Sequence, residues 1–222
     1  MAQSKQKTPA QTQRSEVAAA IRARGERGSN IWLVRPPFES RDLVLNSDLQ
    51  FEAFYLIEGE PAFEDIRYLP QWYEAEDSCH ASGSSKELAV VTNLDRQEHA
   101  IHLVFGTESS ATGGALTAVN GAIHITVRTL DSHIQRVENW RRIIPCIRRV
   151  RLHATAAIER QIVVVVHRQQ RMSLRELQGL FLSLESGIFF GSVAILLRRR
   201  ELCADLDTHP WSLNTQVWSA KA

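Results

Sequence analysis

Residues 47–72 read SDLQFEAFYLIEGEPAFEDIRYLPQW, and the two halves of this stretch follow different periodicities. In the first half Leu49, Phe51, Ala53, Phe54, Leu56 and Ile57 recur at helical spacing and cover one broad face. Ser47 is placed to accept from the first N–H groups of that helix, and Gln50 three residues later completes a capping-box pattern. Gly59 stops the helix, with Pro61 close behind. In the second half, residues 63–73 alternate in part and carry aromatic side chains, which predicts a strand.

On the N-terminal side, residues 31–37 read as an extended segment ending in Pro36 and Pro37. Before it, residues 1–28 are rich in Gln, Ser, Thr, Lys and Arg. Residues 1–14 have too little apolar surface to offset the entropy of ordering and are expected to be disordered. Residues 15–24 could form a short basic helix. This arm reads either as a solvated tail or as an element that touches DNA phosphates.

On the C-terminal side, 78–85 is a polar loop. Residues 86–93 and 98–107 are strands joined by a turn at 94–97, and 106–121 is a Gly, Ser, Thr and Ala-rich loop. Residues 122–129 alternate as Ile123, Ile125 and Val127, which predicts another strand. Asp131 or Ser132 then caps a helix running to about Arg142, with Ile134, Val137, Trp140 and Ile144 on one side and Pro145 ending or bending it.

The composition changes after about residue 150. Residues 155–168 form a helix with an apolar body. Ser173 caps a second helix, SLRELQGLFLSL, with Glu176 completing another capping box. A third helix spans about 186–200, and LCADLDTHPWSLNTQVW reads as two short strands or extended arms. Three helices followed by a β-ribbon is the winged-helix plan. The sequence therefore divides into a basic arm (1–28), a mixed α/β domain (29–152) and a winged-helix domain (153–222), with a boundary near Leu152.

Bulk composition narrows the class less than these patterns do. At 222 residues and 44% hydrophobic, the chain can bury a core for one large or two small domains. A net charge of +1 does not mark a nucleic-acid binder, so the distribution of charge matters more. Lys stands only at positions 5, 7, 86 and 221, and the remaining cations are Arg, whose planar fork suits phosphate and carboxylate. Cys79, Cys146 and Cys203 are odd in number and far apart, which supports neither a disulfide framework nor a zinc site and fits a reducing cytoplasm. No signal peptide is read at the start. The apolar runs at 162–166 and 187–197 fall short of the roughly eighteen residues a membrane span needs.

The 47–72 stretch resembles the opening of TnsA, the endonuclease subunit of heteromeric transposases. That family shows a Ser-x-Leu-Glu helix, an acidic turn and a strand reading roughly Asp-Ile-Arg-Glu-Gln-x-Pro. Ser47, Leu49, Phe54, Glu64, Asp65, Ile66 and Arg67 fit this pattern, whereas Gln50, Tyr68 and Leu69 depart from it. HAIHLVF from His99 resembles the family's Pro-Asp strand, with Ile101 and His102 in those places. ITVRT from Ile125 resembles the strand that carries an acid or Gln and then Lys, with Thr126 and Arg128 in those places. The winged-helix tail is also similar, so the resemblance spans about 31–217. It implies an α+β protein with a restriction-endonuclease-like mixed sheet and flanking helices, followed by a C-terminal winged helix.

The chemistry the family performs does not follow from these residues. Its carboxylates hold Mg²⁺, which activates water and stabilises charge on the phosphate. Gln50 offers only a neutral amide oxygen, Thr126 is a poor ligand, His102 suits softer metals, and Arg128 is a poorer mimic of a positioned lysine. The expectation is a pseudo-nuclease without catalytic residues or cofactor, acting through DNA and protein partners: a transposase or an ATPase regulator of a mobile element, or a second copy of the chain. The alternatives are an Mg²⁺-dependent endonuclease whose site is rebuilt from acids such as Glu52, Asp95, Glu98 or Glu108, and a winged-helix DNA-binding regulator. His102 and His124 lie on different strands and could meet. The DNA-contact candidates are Arg128, Arg141, Arg142, Arg148, Arg149 and Arg151, whose alternative role is to balance a helix C-terminus, and Arg198, Arg199 and Arg200 at the end of the third winged-domain helix. The apolar middle of that helix points to packing or a protein interface rather than base readout.

Overall fold

The structure is a computed structural model that describes residues 30–69, 85–104, 116 and 118–220. The predicted arm at 1–28, the polar loop at 78–84, and the side chains of Trp72, Cys79 and Glu108 lie outside these residues. Two units divide the chain: residues up to Ala53 with Asp65–Thr129, and Phe54–Glu64 with the residues from Leu130 on.

In the first unit β1 (Trp32–Val34) pairs antiparallel with β2 (Leu43–Leu45). Helix α1 (Asp48–Gly59), whose residues from Phe54 on belong to the second unit, then begins where the sequence predicts. Ser47 Oγ accepts the Gln50 N–H at 3.2 Å, but the Gln50 side chain reaches one residue further back, accepting the Asn46 N–H at 2.5 Å. Trp32 stacks on Phe51 with ring centres 3.9 Å apart and donates Nε1–H to Asp48, which also accepts from Asn30. These two donors hold the Asp48 carboxyl below its ordinary value.

The predicted strand at 63–73 is β3 (Phe63–Tyr68), with 70–73 outside the described residues. Strands β4 (Ser85–Asn93) and β5 (Glu98–Val104) form the predicted antiparallel hairpin. Asn93 Oδ1 closes its turn by accepting the Asp95 and Gln97 N–H groups. Within the segment read as a loop lies a short strand, β6 (Ala118–Val119), which turns through Asn120 and Gly121 into β7 (Ala122–Ile125). Both turn residues have positive φ, 52° and 80°, the backbone that Asn-Gly hairpin turns supply. The mixed five-stranded sheet runs β3-β4-β5-β7-β6, with β5 and β7 parallel. Ile101, Leu103, Ile123 and Ile125 fill its buried face, while Ala100, His102, Val104, Ala122 and His124 are half-buried on the other.

Here the structure corrects the sequence reading. The strand ends at Ile125, and helix α2 (Val127–Ser132) starts two residues later. Asp131 and Ser132 lie inside that helix rather than capping the next one. Helix α3 (Ile134–Val150) begins after His133 with no side-chain cap and continues through Pro145, which sits on its exposed side. A proline there removes one N–H and leaves the helix otherwise unbroken.

The second unit holds α3, α4 (Ala156–Gln169), β8 (Arg171–Ser173), α5 (Leu174–Gly179), α6 (Ser186–Arg198), β9 (Leu202–Ala204) and β10 (Gln216–Ser219). Ser173 and Glu176 form the predicted reciprocal capping box. The short sheet is ordered β8-β10-β9 and is antiparallel throughout; β8 escaped the sequence reading. Helix α3 belongs with this unit because its apolar side lies against α6, so the division falls after Thr129, whereas the composition shift is near Leu152. At Gly191 of α6 a Cβ would collide with both methyls of Val150, which explains why only glycine fits there. Gly59 is likewise more than a helix stop: the Trp140 indole fills the space its side chain would take.

Candidate functional site

Ladder geometry decides what the four positions matching the nuclease pattern can do. Gln50 is 3% exposed and its amide oxygen is occupied by the Asn46 N–H, so it serves the entry of α1. Thr126 is buried, and its Oγ1 accepts the Thr129 N–H at 3.1 Å. Thr129 Oγ1 accepts the Thr126 N–H at 3.3 Å in return. Thr126 is thus the N-cap of α2, in a capping box closed by a hydroxyl instead of a carboxylate. Arg128 lies on that helix and is exposed; the expected strand position does not exist.

His102, like Gln50 on its helix, lies in the expected element, in the middle of β5. The register brings His102 and His124 side by side on the parallel pair β5 and β7, with ring centres 5.6 Å apart, so the two imidazoles do meet. Glu87 of β4 is the register partner of His102 on the other side. His102 Nδ1 is buried without a hydrogen-bond partner among the described residues. Among those residues no three His, Cys, Asp or Glu side chains gather as a metal-holding group. Of the acids considered for a rebuilt centre, Asp95 and Glu98 are exposed at the β4–β5 turn, and Glu52 is half-buried on α1.

The arginines at the ends of α3 and α6 fall into two sets. Arg198, Arg199 and Arg200 are committed within the second unit. Arg198 Nε donates to Glu58 at 2.6 Å, with both side chains buried. Arg199 pairs with the buried Glu159 at 2.7 Å, and Glu159 also accepts from the hydroxyl of Thr155. Arg200 donates to the Phe63 carbonyl, and burial followed by repulsion from Arg198 lowers its pKa to about 10. Arg136, near the start of α3, is also buried and bridges Glu60 and Asp207.

The second set is exposed. Arg141, Arg142, Arg148 and Arg149 follow the outer side of α3 at helical spacing, around Pro145, and Arg151 caps its end. Arg141 pairs with Glu138 at 2.7 Å. Arg142, Arg148, Arg149 and Arg151 have no ion pair among the described residues. Tyr55 lies within the field of Arg141 and Arg148; burial raises its pKa and the two cations oppose that rise.

The β9–β10 connection is pinned to the same helix. Buried Asn139 donates to the Leu206 and His209 carbonyls at 2.7 and 2.8 Å and accepts from the Trp211 N–H at 2.7 Å. No local spacing marks Asn139, Glu58, Glu60 or Asp207 as partners, because the contacts that define them join distant segments. Comparison of the chain with family models, curated proteins and solved structures finds no match. No helix of the described residues is long and apolar enough to cross a membrane.

Proposed function

We propose that this chain is a non-catalytic DNA-binding protein, an accessory to DNA transposition or recombination, and that α3 carries its phosphate-binding face. The observation behind this reading is the row of Arg142, Arg148, Arg149 and Arg151, exposed and without ion pairs among the described residues, on a helix whose other side is core. Arg in such a row suits bidentate phosphate contacts, which position a protein on DNA without reading sequence.

The resemblance of 47–72 to TnsA supports a restriction-endonuclease-like reading of the first unit. The element order helix, strand, helix, helix, strand, strand, with the sheet ordered β8-β10-β9, supports a winged helix in the second. In that plan the third helix commonly enters the major groove. Here α6 is buried along most of its length, and its terminal arginines are paired. Phosphate contact from α3 is therefore favoured over base readout from α6. A transposase or an ATPase regulator of a mobile element is the partner class the resemblance implies.

Salt dependence of duplex binding tests the proposal. Four neutralised phosphates give a log K versus log salt slope of about −3.6. The variant R142A/R148A/R149A should flatten that slope by about 2.7 and weaken binding to unrelated duplexes alike. An unchanged slope would remove α3 as the phosphate face.

A further inference from the structure

The second unit has an open apolar groove between α4 and the turn that follows α5. It is lined by Ala157, Arg160, Gln161, Val164, Leu180 and Phe181. Val164 is 47% exposed and Leu180 60%, so two large apolar side chains of the groove lining face water. Exposed large apolar side chains lining a groove mark an interaction site more often than ones scattered singly over a surface.

The groove wall is fixed. The turn is held by backbone bonds from the Leu180 N–H to Leu177, Phe181 to Gln178 and Leu184 to Phe181. Phe181 is anchored to the core by the buried Phe189 ring, 6.1 Å away. A preformed surface loses little entropy when a partner docks.

Charge specifies what the groove takes. Ala157, Arg160, Gln161, Val164, Val165 and Arg168 repeat at the spacing of one helix face, so the stripe carries a cation toward each end. The one acid of α4, Glu159, is buried and bound to Arg199, and so does not face this surface. From position 157 to 168 the stripe rises about 16 Å, which accommodates roughly three turns of a second helix.

We infer that this groove docks an amphipathic helix of a partner protein. The helix would lay apolar residues at positions i, i+3, i+4 and i+7 on Val164, Leu180 and Phe181, and set carboxylates at its two ends against Arg160 and Arg168. The occupant is a separate protein rather than DNA, because the middle of the surface is apolar and phosphates gain nothing from it. It is a protein of opposite charge rather than a second copy, because two such stripes face to face bring like charges together.

The test uses the full chain and two labelled synthetic peptides of about fifteen residues, sharing one leucine pattern and ending in either Glu or Lys pairs. Fluorescence anisotropy should show the Glu peptide binding at least tenfold tighter than the Lys peptide. Added salt should narrow that difference. Arg160→Glu should invert the preference, and Leu180→Asp should abolish binding of both. These side chains are exposed, so the variants should fold, and circular dichroism checks that they do. Equal binding of the two peptides, no binding of either, or indifference to Arg160→Glu would overturn the inference. So would displacement of the peptide by unlabelled duplex DNA, or self-association of the chain that Leu180→Asp removes, since each assigns the surface to another occupant. Failure of the DNA proposal leaves this result untouched, because the α3 arginines are absent from the groove.

Discussion

Gln50 and Arg198 are both almost wholly buried polar side chains, one in each unit, and they are satisfied in different ways. Gln50 finds its partner four residues away, and Thr126 finds its partner three residues away. Arg198 pairs with Glu58 across 140 residues, and Arg136 pairs with Glu60 and Asp207 across more than seventy. In the first unit, Gln50 and Thr126, two of the positions matched to the catalytic pattern, are uncharged and serve helix starts. In the second, full charges are buried and hold distant segments of one unit together. Neutral local caps tolerate rearrangement, whereas a buried ion specifies its partner because any other packing leaves it uncompensated.

The sharpest way to break this contrast is to remove one member of the long-range pair. Glu58→Ala leaves the Arg198 guanidinium buried without its carboxylate and should cost about 3–5 kcal/mol in urea unfolding, monitored through Trp140. The double variant E58L/R198M should recover most of that loss, since an apolar replacement of both partners removes the desolvation cost as well. If Glu58→Ala proved neutral, the pair would not be the constraint described.

A smaller effect is expected in the first unit. Thr126→Ala removes the α2 cap, the acceptor of the Thr129 N–H, and should cost about 0.5–2 kcal/mol. Thr126→Ser, which keeps the hydroxyl, should restore most of it. A loss as large as that from Glu58→Ala would mean that the local cap carries more than its hydrogen bonds.

The smallest effect should appear with acid. Hydrogen bonding from Arg136 holds the Asp207 carboxyl below its ordinary value, with the Arg136 charge adding to this. The unfolded chain takes up that proton first, so the stabilisation is complete above about pH 4 and is lost as the pH falls through the lower, folded value. Asp207→Asn should flatten the stability profile in that acid range and change its slope little above it. An unaltered acid slope would show that other carboxylates govern it.

The parts of the fold legible in the sequence were those encoded by neighbours. The Ser47 and Ser173 caps, the helical spacing through Ile57 and the turn between the two central strands each rest on residues a few positions apart. The strand read through 129 failed because alternation of Ile123, Ile125 and Val127 continues past Thr126, which looks like one more strand residue but stops the strand by capping α2. Val127 is 54% exposed, so its match to the pattern reports no core. The β6–β7 hairpin had a readable signal in Asn120-Gly121, hidden by the small residues before it. Strand β8 has three residues and acquires its identity only by pairing with β10.

The candidate site was legible in the same uneven way. The meeting of His102 and His124 follows from pairing two alternating strands and was foreseeable. Arg198, Arg199 and Arg200 looked identical in the sequence to the arginines of α3. Only the positions of Glu58, Glu159 and the Phe63 carbonyl separate the committed set from the exposed one.

The most direct measurement is a nicking assay on supercoiled plasmid with Mg²⁺ or Mn²⁺, run beside duplex binding in the same buffers. The account predicts salt-dependent binding that the R142A/R148A/R149A variant weakens, and no nicking with either metal. Metal-dependent nicking abolished by changing one acidic residue, Glu87→Gln for instance, would contradict it and make the chain an endonuclease.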